Sequence, residues 1–233
     1  LRAETSALRA ALAAVRGDVA SALRLAADAL ALAPVNDPYI LGTTHFSLGT
    51  AHNYAGNAVA AIADYRAALP LCQEAGNTVA AMLIVGNLAM LYLARGQLHA
   101  AADLCRMVIE AAELRNEGRS PALAAVYGAY SQVHLEWGDL DAAHQLSERA
   151  LAAARLGGHA AAFAYGSVVH ARILHAVGDL DGAAASLAQV LELRGRAMPA
   201  WVEPQIVAQQ AALAVARGDE AAAHHALVQS GVA

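Results

Sequence analysis

Leu91-Tyr92-Leu93-Ala94-Arg95-Gly96-Gln97-Leu98-His99-Ala100-Ala101 decides the fold: an apolar stretch ends in a glycine, a polar residue follows, and an alanine stands five positions after the glycine. The same arrangement returns at Gly17-Asp18…Ala22, Gly56-Asn57…Ala61, Gly138-Asp139…Ala143, Gly178-Asp179…Ala183 and Gly218-Asp219…Ala223. A second column stands seven positions before each glycine and is always small: Ala10, Gly49, Ala89, Ser131, Ala171 and Ala211. Two columns recurring six times define an internal repeat of about 40 residues.

Each column has a physical meaning. The stretch before each glycine, such as Tyr39 to Ala55 or Val79 to Arg95, predicts an amphipathic helix, here called A. The glycine supplies the positive φ that closes a helix C-terminus. The Asp, Asn or Gln after it predicts the cap of the next helix, B, as in Leu98 to Leu114 or Leu140 to Arg155. Small residues in both columns let the two helices cross closely. Neither helix buries its apolar stripe alone, so neighbouring pairs must stack. The expectation is an all-α fold, an α-solenoid of about six antiparallel helix pairs in a single domain over 1–233. Its repeats run over about 1–36, 37–76, 77–119, 120–158, 159–199 and 200–233. Links fall at Pro34 to Pro38, Gly76-Asn77, Asn116 to Pro121, Gly157-Gly158 and Gly195 to Pro199. Ser120-Pro121 predicts an N-cap and first turn, and Pro70 predicts a kinked or shortened second B helix.

Composition narrows the function. The 233 residues are 58% hydrophobic, 5% aromatic and 15% charged, with 63 alanines, so a disordered or sheet-rich chain is excluded. All fifteen basic residues are arginine and the net charge is −5, a poor basis for binding nucleic acid directly. Two cysteines and no Asn-x-Ser/Thr site point to a reducing cytoplasm. The start at Leu1 shows no initiator Met or signal segment, and reads as the middle of a longer protein. The most apolar window, Val79 to Ala94, is shorter than the roughly 20 residues that cross a bilayer, so no membrane association is expected.

The columns resemble the tetratricopeptide repeat (TPR). Leu48-Gly49, Gly56, Ala61, Tyr65 and Ala68 stand at the consensus spacings, and the third unit keeps Leu88-Ala89, Tyr92, Gly96 and Ala101. Nearly the whole chain is similar to the superhelical sensor region of MalT-type, ATP-dependent regulators of the LuxR family, which are bacterial. That resemblance is carried by Ala26 to Leu32, Leu48 to His52, Leu91 to Leu98, Pro121 with Val133 to Ala143, and Ala216 to Asp219 with Ala226 to Val232. It implies a right-handed superhelix, with an ATPase module upstream and a helix-turn-helix downstream that this chain lacks. No phosphate loop is present, since there is no lysine. Any homo-oligomer would form through the full-length protein.

Chemical motifs are weak. His134, Glu136, Asp139, Asp141 and His144 cluster at one hairpin turn, where the acidic residues suit the start of a helix. His224-His225 point about 100° apart on a helix and do not chelate one metal. Cys72 and Cys105 read as buried thiols. Arg16-Gly17-Asp18 and Arg217-Gly218-Asp219 are hairpin turns of the repeat rather than integrin ligands. No catalytic residue, metal site or cofactor is expected, and the chain reads as a non-enzyme.

In TPR-like superhelices the A helices line the concave face. The repeat register maps Thr43, Phe46, Ser47, Thr50, Asn53 and Tyr54 onto it, then Asn87 and Met90, Gln132 and Glu136, Tyr165, Arg172 and His175, and Gln205 and Gln209. Gly86 and Gly128 sit at equivalent groove positions, where open space beside the backbone would explain a mid-helix glycine. Amides, hydroxyls and rings suit a small-molecule effector; the alternative is a scaffold taking a peptide or partner protein in the same groove.

Overall fold

The repeat glycines set the architecture. In the computed structural model, which describes residues 1–34, 36–158, 160–192 and 202–229, all six adopt left-handed φ angles between 71° and 88°. Each closes one helix and releases the chain into the next, and the described residues form twelve α-helices and no strand. The A helices are α1 (Arg2–Val15), α3 (Pro38–Tyr54), α5 (Thr78–Ala94), α7 (Ala124–Glu136), α9 (Ala160–Ala176) and α11 (Glu203–Ala216). The B helices are α2 (Val19–Leu32), α4 (Ala58–Glu74), α6 (Leu98–Leu114), α8 (Leu140–Gly157), α10 (Leu180–Leu191) and α12 (Glu220–Gln229). This is the expected helix-pair solenoid. The Gly195 to Pro199 link, Val35 and the closing Ser230 to Val232 lie outside the described residues.

Capping follows side-chain length. Asp18, Asn57, Asp139, Asp179 and Asp219 each accept a hydrogen bond from the backbone N–H three residues on. Asp37 and Asn77 do the same for A helices. Gln97, one methylene longer, makes no such bond, contrary to expectation. Gln97→Asn should therefore stabilise the chain by roughly 0.5–1 kcal/mol, read as a rise in melting temperature. Asn57→Ala should cost about 1 kcal/mol. An unchanged Gln97→Asn would mean that α6 starts in another geometry.

The structure refines the two expectations that rest on proline. Pro70 does not shorten its helix: α4 runs through it from Ala58 to Glu74. Pro70 and Arg66, whose carbonyl loses its donor, are both exposed, so water can take the missing bond. Ser120 stands at the N-cap and Pro121 in the first turn, as expected, but of a 3₁₀ turn, Pro121–Leu123, ahead of α7, and the Ser120 side chain makes no capping bond.

The chain falls into two compact units, Leu1–Gly96 and Gln97–Ala233. In the first, α1 and α2 pack on each other and on α3, and α4 packs on α3 and α5. Alanine supplies most of that contact: Ala3, Ala7 and Ala29 enclose Ile40, and Ala14 and Ala22 enclose Ala51. In the second, each helix from α6 to α11 packs on its successor, and α7 with α9 and α9 with α11 touch as well. Ala164, Val168, Ala171, Leu174, Ala183, Leu187 and Val190 there form one cluster with Val202, Ile206 and Leu213. All twelve residues of the two small columns are buried, as close helix crossing requires. Among the described residues no helix is long and apolar enough to cross a membrane.

Candidate ligand-binding site

Stacked repeats bring equivalent positions of successive A helices side by side. The position six before the repeat glycine is Gln132 in α7 and Arg172 in α9, and these two meet. Arg172 Nη1 donates to Gln132 Oε1 at 2.8 Å, and Arg172 Nη2 lies 3.7 Å from Glu136 Oε1. A guanidinium only donates, so this bond turns the amide nitrogen of Gln132 the other way. There it donates to the Tyr165 hydroxyl. Gln132 and Tyr165 are buried, and burial pushes the Tyr165 phenol up to about 12. The row continues where Gln209 Nε2 of α11 lies 3.3 Å from His175 Nδ1 of α9. Gln205, also mapped to this face, is exposed.

The row is graded from fixed to free. Tyr165 and Gln132 form its buried base, with no charge to desolvate. Arg172 and Glu136 are 41% and 50% exposed, so water screens their attraction and each can exchange the other for a ligand group. The arrangement offers a guanidinium, a carboxylate, two amides and an imidazole along the row formed by α7, α9 and α11.

The expected open space beside Gly128 is not there. A Cβ at Gly128 would lie 3.4 Å from the Tyr165 ring, so the glycine admits that ring rather than a ligand. Gly86 is buried too. Ser47, mapped to the groove, is buried, and its hydroxyl donates to the Thr43 carbonyl.

The first unit holds the other mapped residues. Thr50 Oγ1 accepts from the Tyr65 hydroxyl at 3.2 Å, and the Phe46 ring lies 6.1 Å from the Tyr65 ring. Asn53, Asn87 and Met90 are half-buried and Tyr54 is exposed. Phe46 and Thr50 are thus largely committed to holding Tyr65.

The chemical motifs resolve into local contacts. His134 Nδ1 lies 3.1 Å from Asp139, the cap of α8, and the His134 ring packs on Tyr130 and Trp137. His144 packs on His170, whose Nδ1 lies 2.8 Å from Ser147 Oγ. Burial and then the facing His144 push His170 below the ordinary imidazole value. Cys72 and Cys105 are buried, and burial raises the Cys105 thiol to about 12. Among the described residues no group of three or more His, Cys, Asp or Glu could hold a metal ion.

One cluster had no place in the sequence-based map. His45 and His52 of α3 both direct Nδ1 at Asp64 of α4, at 3.1 and 2.9 Å. A signal was present: Asp64 occupies the position eight after the repeat glycine, which is Leu25, Leu104 and Leu146 in other pairs. An acid in an aliphatic column calls for partners, and histidines seven apart on one helix face supply them.

Comparison with known proteins agrees with the architecture. The family model described as the MalT-like TPR region matches residues 3–230. No curated protein matches the sequence. The crystal structure of apo RapI matches with a TM-score of 0.73 at 12% identity, covering 98% of this chain and 83% of that one. BtubC from P. vanneervenii matches with a TM-score of 0.59 at 24% identity, covering 82% and 80%. A STAND protein (signal transduction ATPase with numerous domains) with a tetratricopeptide repeat sensor, from Pyrococcus horikoshii, matches with a TM-score of 0.61 at 16% identity, covering 97% of this chain and 36% of that protein. These likenesses share the fold.

Proposed function

Because this chain belongs to the MalT-like TPR region family, we propose that it is the signal-sensing region of a LuxR-type transcriptional regulator, binding a small-molecule effector on the polar row of α7, α9 and α11. The observation that supports this reading is the bonded series Tyr165–Gln132–Arg172–Glu136, which has a buried neutral base and a half-exposed ionic edge. An effector that displaces Glu136 from Arg172 meets a preset amide and phenol behind it. Pre-organised donors lower the ordering cost of binding. In such a parent an ATPase module precedes the region and a helix-turn-helix follows it. This region contacts no DNA itself, consistent with its net charge of −5, needs no cofactor and acts in the cytoplasm.

The test is a thermal-shift screen of the purified chain against small polar molecules. At a hundred times its Kd an effector stabilises the chain by about 2.7 kcal/mol, or roughly 5–10 °C. Arg172→Ala should abolish that shift and lower the unliganded melting temperature by roughly 2–10 °C, since the buried Gln132 Oε1 loses its donor. A hit that shifts Arg172→Ala equally would move the site elsewhere. A single protein retained in pull-down, with no small-molecule hit, would replace the effector by a partner protein in the same row.

A further inference from the structure

Among the residues that the repeat register maps to the concave face, only Glu136 and Arg172 carry a fixed charge, and their signs are opposite. The position of Glu136, two before the repeat glycine, is Val15, Tyr54, Ala94, Ala176 or Ala216 in the other pairs. The position of Arg172 is likewise uncharged elsewhere. Pairs with no charge at either place form the same two helices, so the scaffold does not require these ions.

The two ions face each other without closing. Arg172 Nη2 stands 3.7 Å from Glu136 Oε1, beyond hydrogen-bond reach. Arg149 and Glu113, with nearly the same exposure, close to 2.7 Å. Arg172 is instead held back by Gln132, whose Oε1 accepts from Nη1 and ties the guanidinium to the buried base of the row. Among the described residues Arg172 is the one ionic partner of Glu136. Half-exposed ions that do not bond directly hold each other weakly, so a ligand separates them at little cost.

We propose that this open pair binds the charged end of a free α-amino acid, with the ligand carboxylate on Arg172 and its ammonium on Glu136. The proposal rests on the reading of the row as the effector site, and it names the chemical class of that effector. A zwitterion replaces one loose ion pair by two charge-assisted contacts and leaves the net charge of the row unchanged. A carboxylate alone would sit beside Glu136, and a cation alone beside Arg172, each against like-charge repulsion. A neutral polyol would satisfy neither charge, and Tyr165 is buried, so that ring cannot cover the polyol's apolar face. An α-amino acid carries both groups on one carbon, close enough for ions 3.7 Å apart to flank them after a side-chain rotation. In a peptide the chain separates the two termini, and one end reaches only one ion.

Isothermal titration calorimetry of the purified 233-residue chain tests this with two sets of probes. The first is the standard free amino acids, each at about 10 mM, where even a millimolar Kd brings the site near saturation. The second is polar molecules with one charge or none: short carboxylic acids, alkylamines and sugars. The open pair predicts that at least one amino acid binds, and that its N-acetyl and methyl-ester derivatives bind at least about tenfold more weakly. Glu136→Gln should weaken the free amino acid at least about tenfold while its N-acetyl derivative binds as before or more tightly. Glu136 is half-exposed, so that variant should keep the melting temperature of the parent chain. Equal affinity with either group masked, or with Glu136→Gln, would overturn the proposal. So would silence of the whole first set. In either case an Arg172-dependent ligand of the second set would keep the row as an effector site, whereas none in either set would remove that reading too.

Discussion

Tyr65→Ala lowers the stability of the chain by about 3–5 kcal/mol. The ring is fully buried between α3 and α4, and its hydroxyl donates to Thr50. Its space exists because residue 49 has no side chain: a Cβ there would come within 2.5 Å of the ring. Gly49→Ala should therefore cost about 1–3 kcal/mol through displacement of the ring. The two substitutions couple. In the Tyr65→Ala background the added methyl enters the vacated space, and Gly49→Ala becomes neutral or stabilising. Urea denaturation of the four proteins measures this, and an equal cost for Gly49→Ala in both backgrounds would refute the close approach.

Ala143→Leu should cost about 1–3 kcal/mol, or roughly 2–10 °C in melting temperature. Ala143 is fully buried on α8, which packs on α7, and it belongs to the small column five after the glycine. Ala152→Leu on the same helix is the control, because Ala152 is exposed and leucine there keeps helix propensity almost unchanged. If both variants melted together, the small columns would not mark the helix crossings.

Turns and caps were legible because their causes are local. A glycine with φ near 75° and an Asp or Asn at the next position carry their conformations with them, whatever packs around them. Gln97 escaped because its type suits a cap while its length does not, and Pro70 leaves its helix at full length because a missing hydrogen bond matters less on an exposed face. Part of the candidate site was legible for the same reason. Gln132 and Arg172 share a register, and a stacked repeat can only set them side by side.

The sequence by itself determined the helix pairs, their period and the buried small columns, since backbone dihedrals, capping and apolar periodicity act over a few residues. Tertiary structure alone decided which side chains fill the space beside the small residues. Tyr65 fills the place beside Gly49 and Tyr165 the place beside Gly128, while Asp64 gathers His45 and His52. Long side chains reach across helices, so their partners depend on which rotamers the packed neighbours allow.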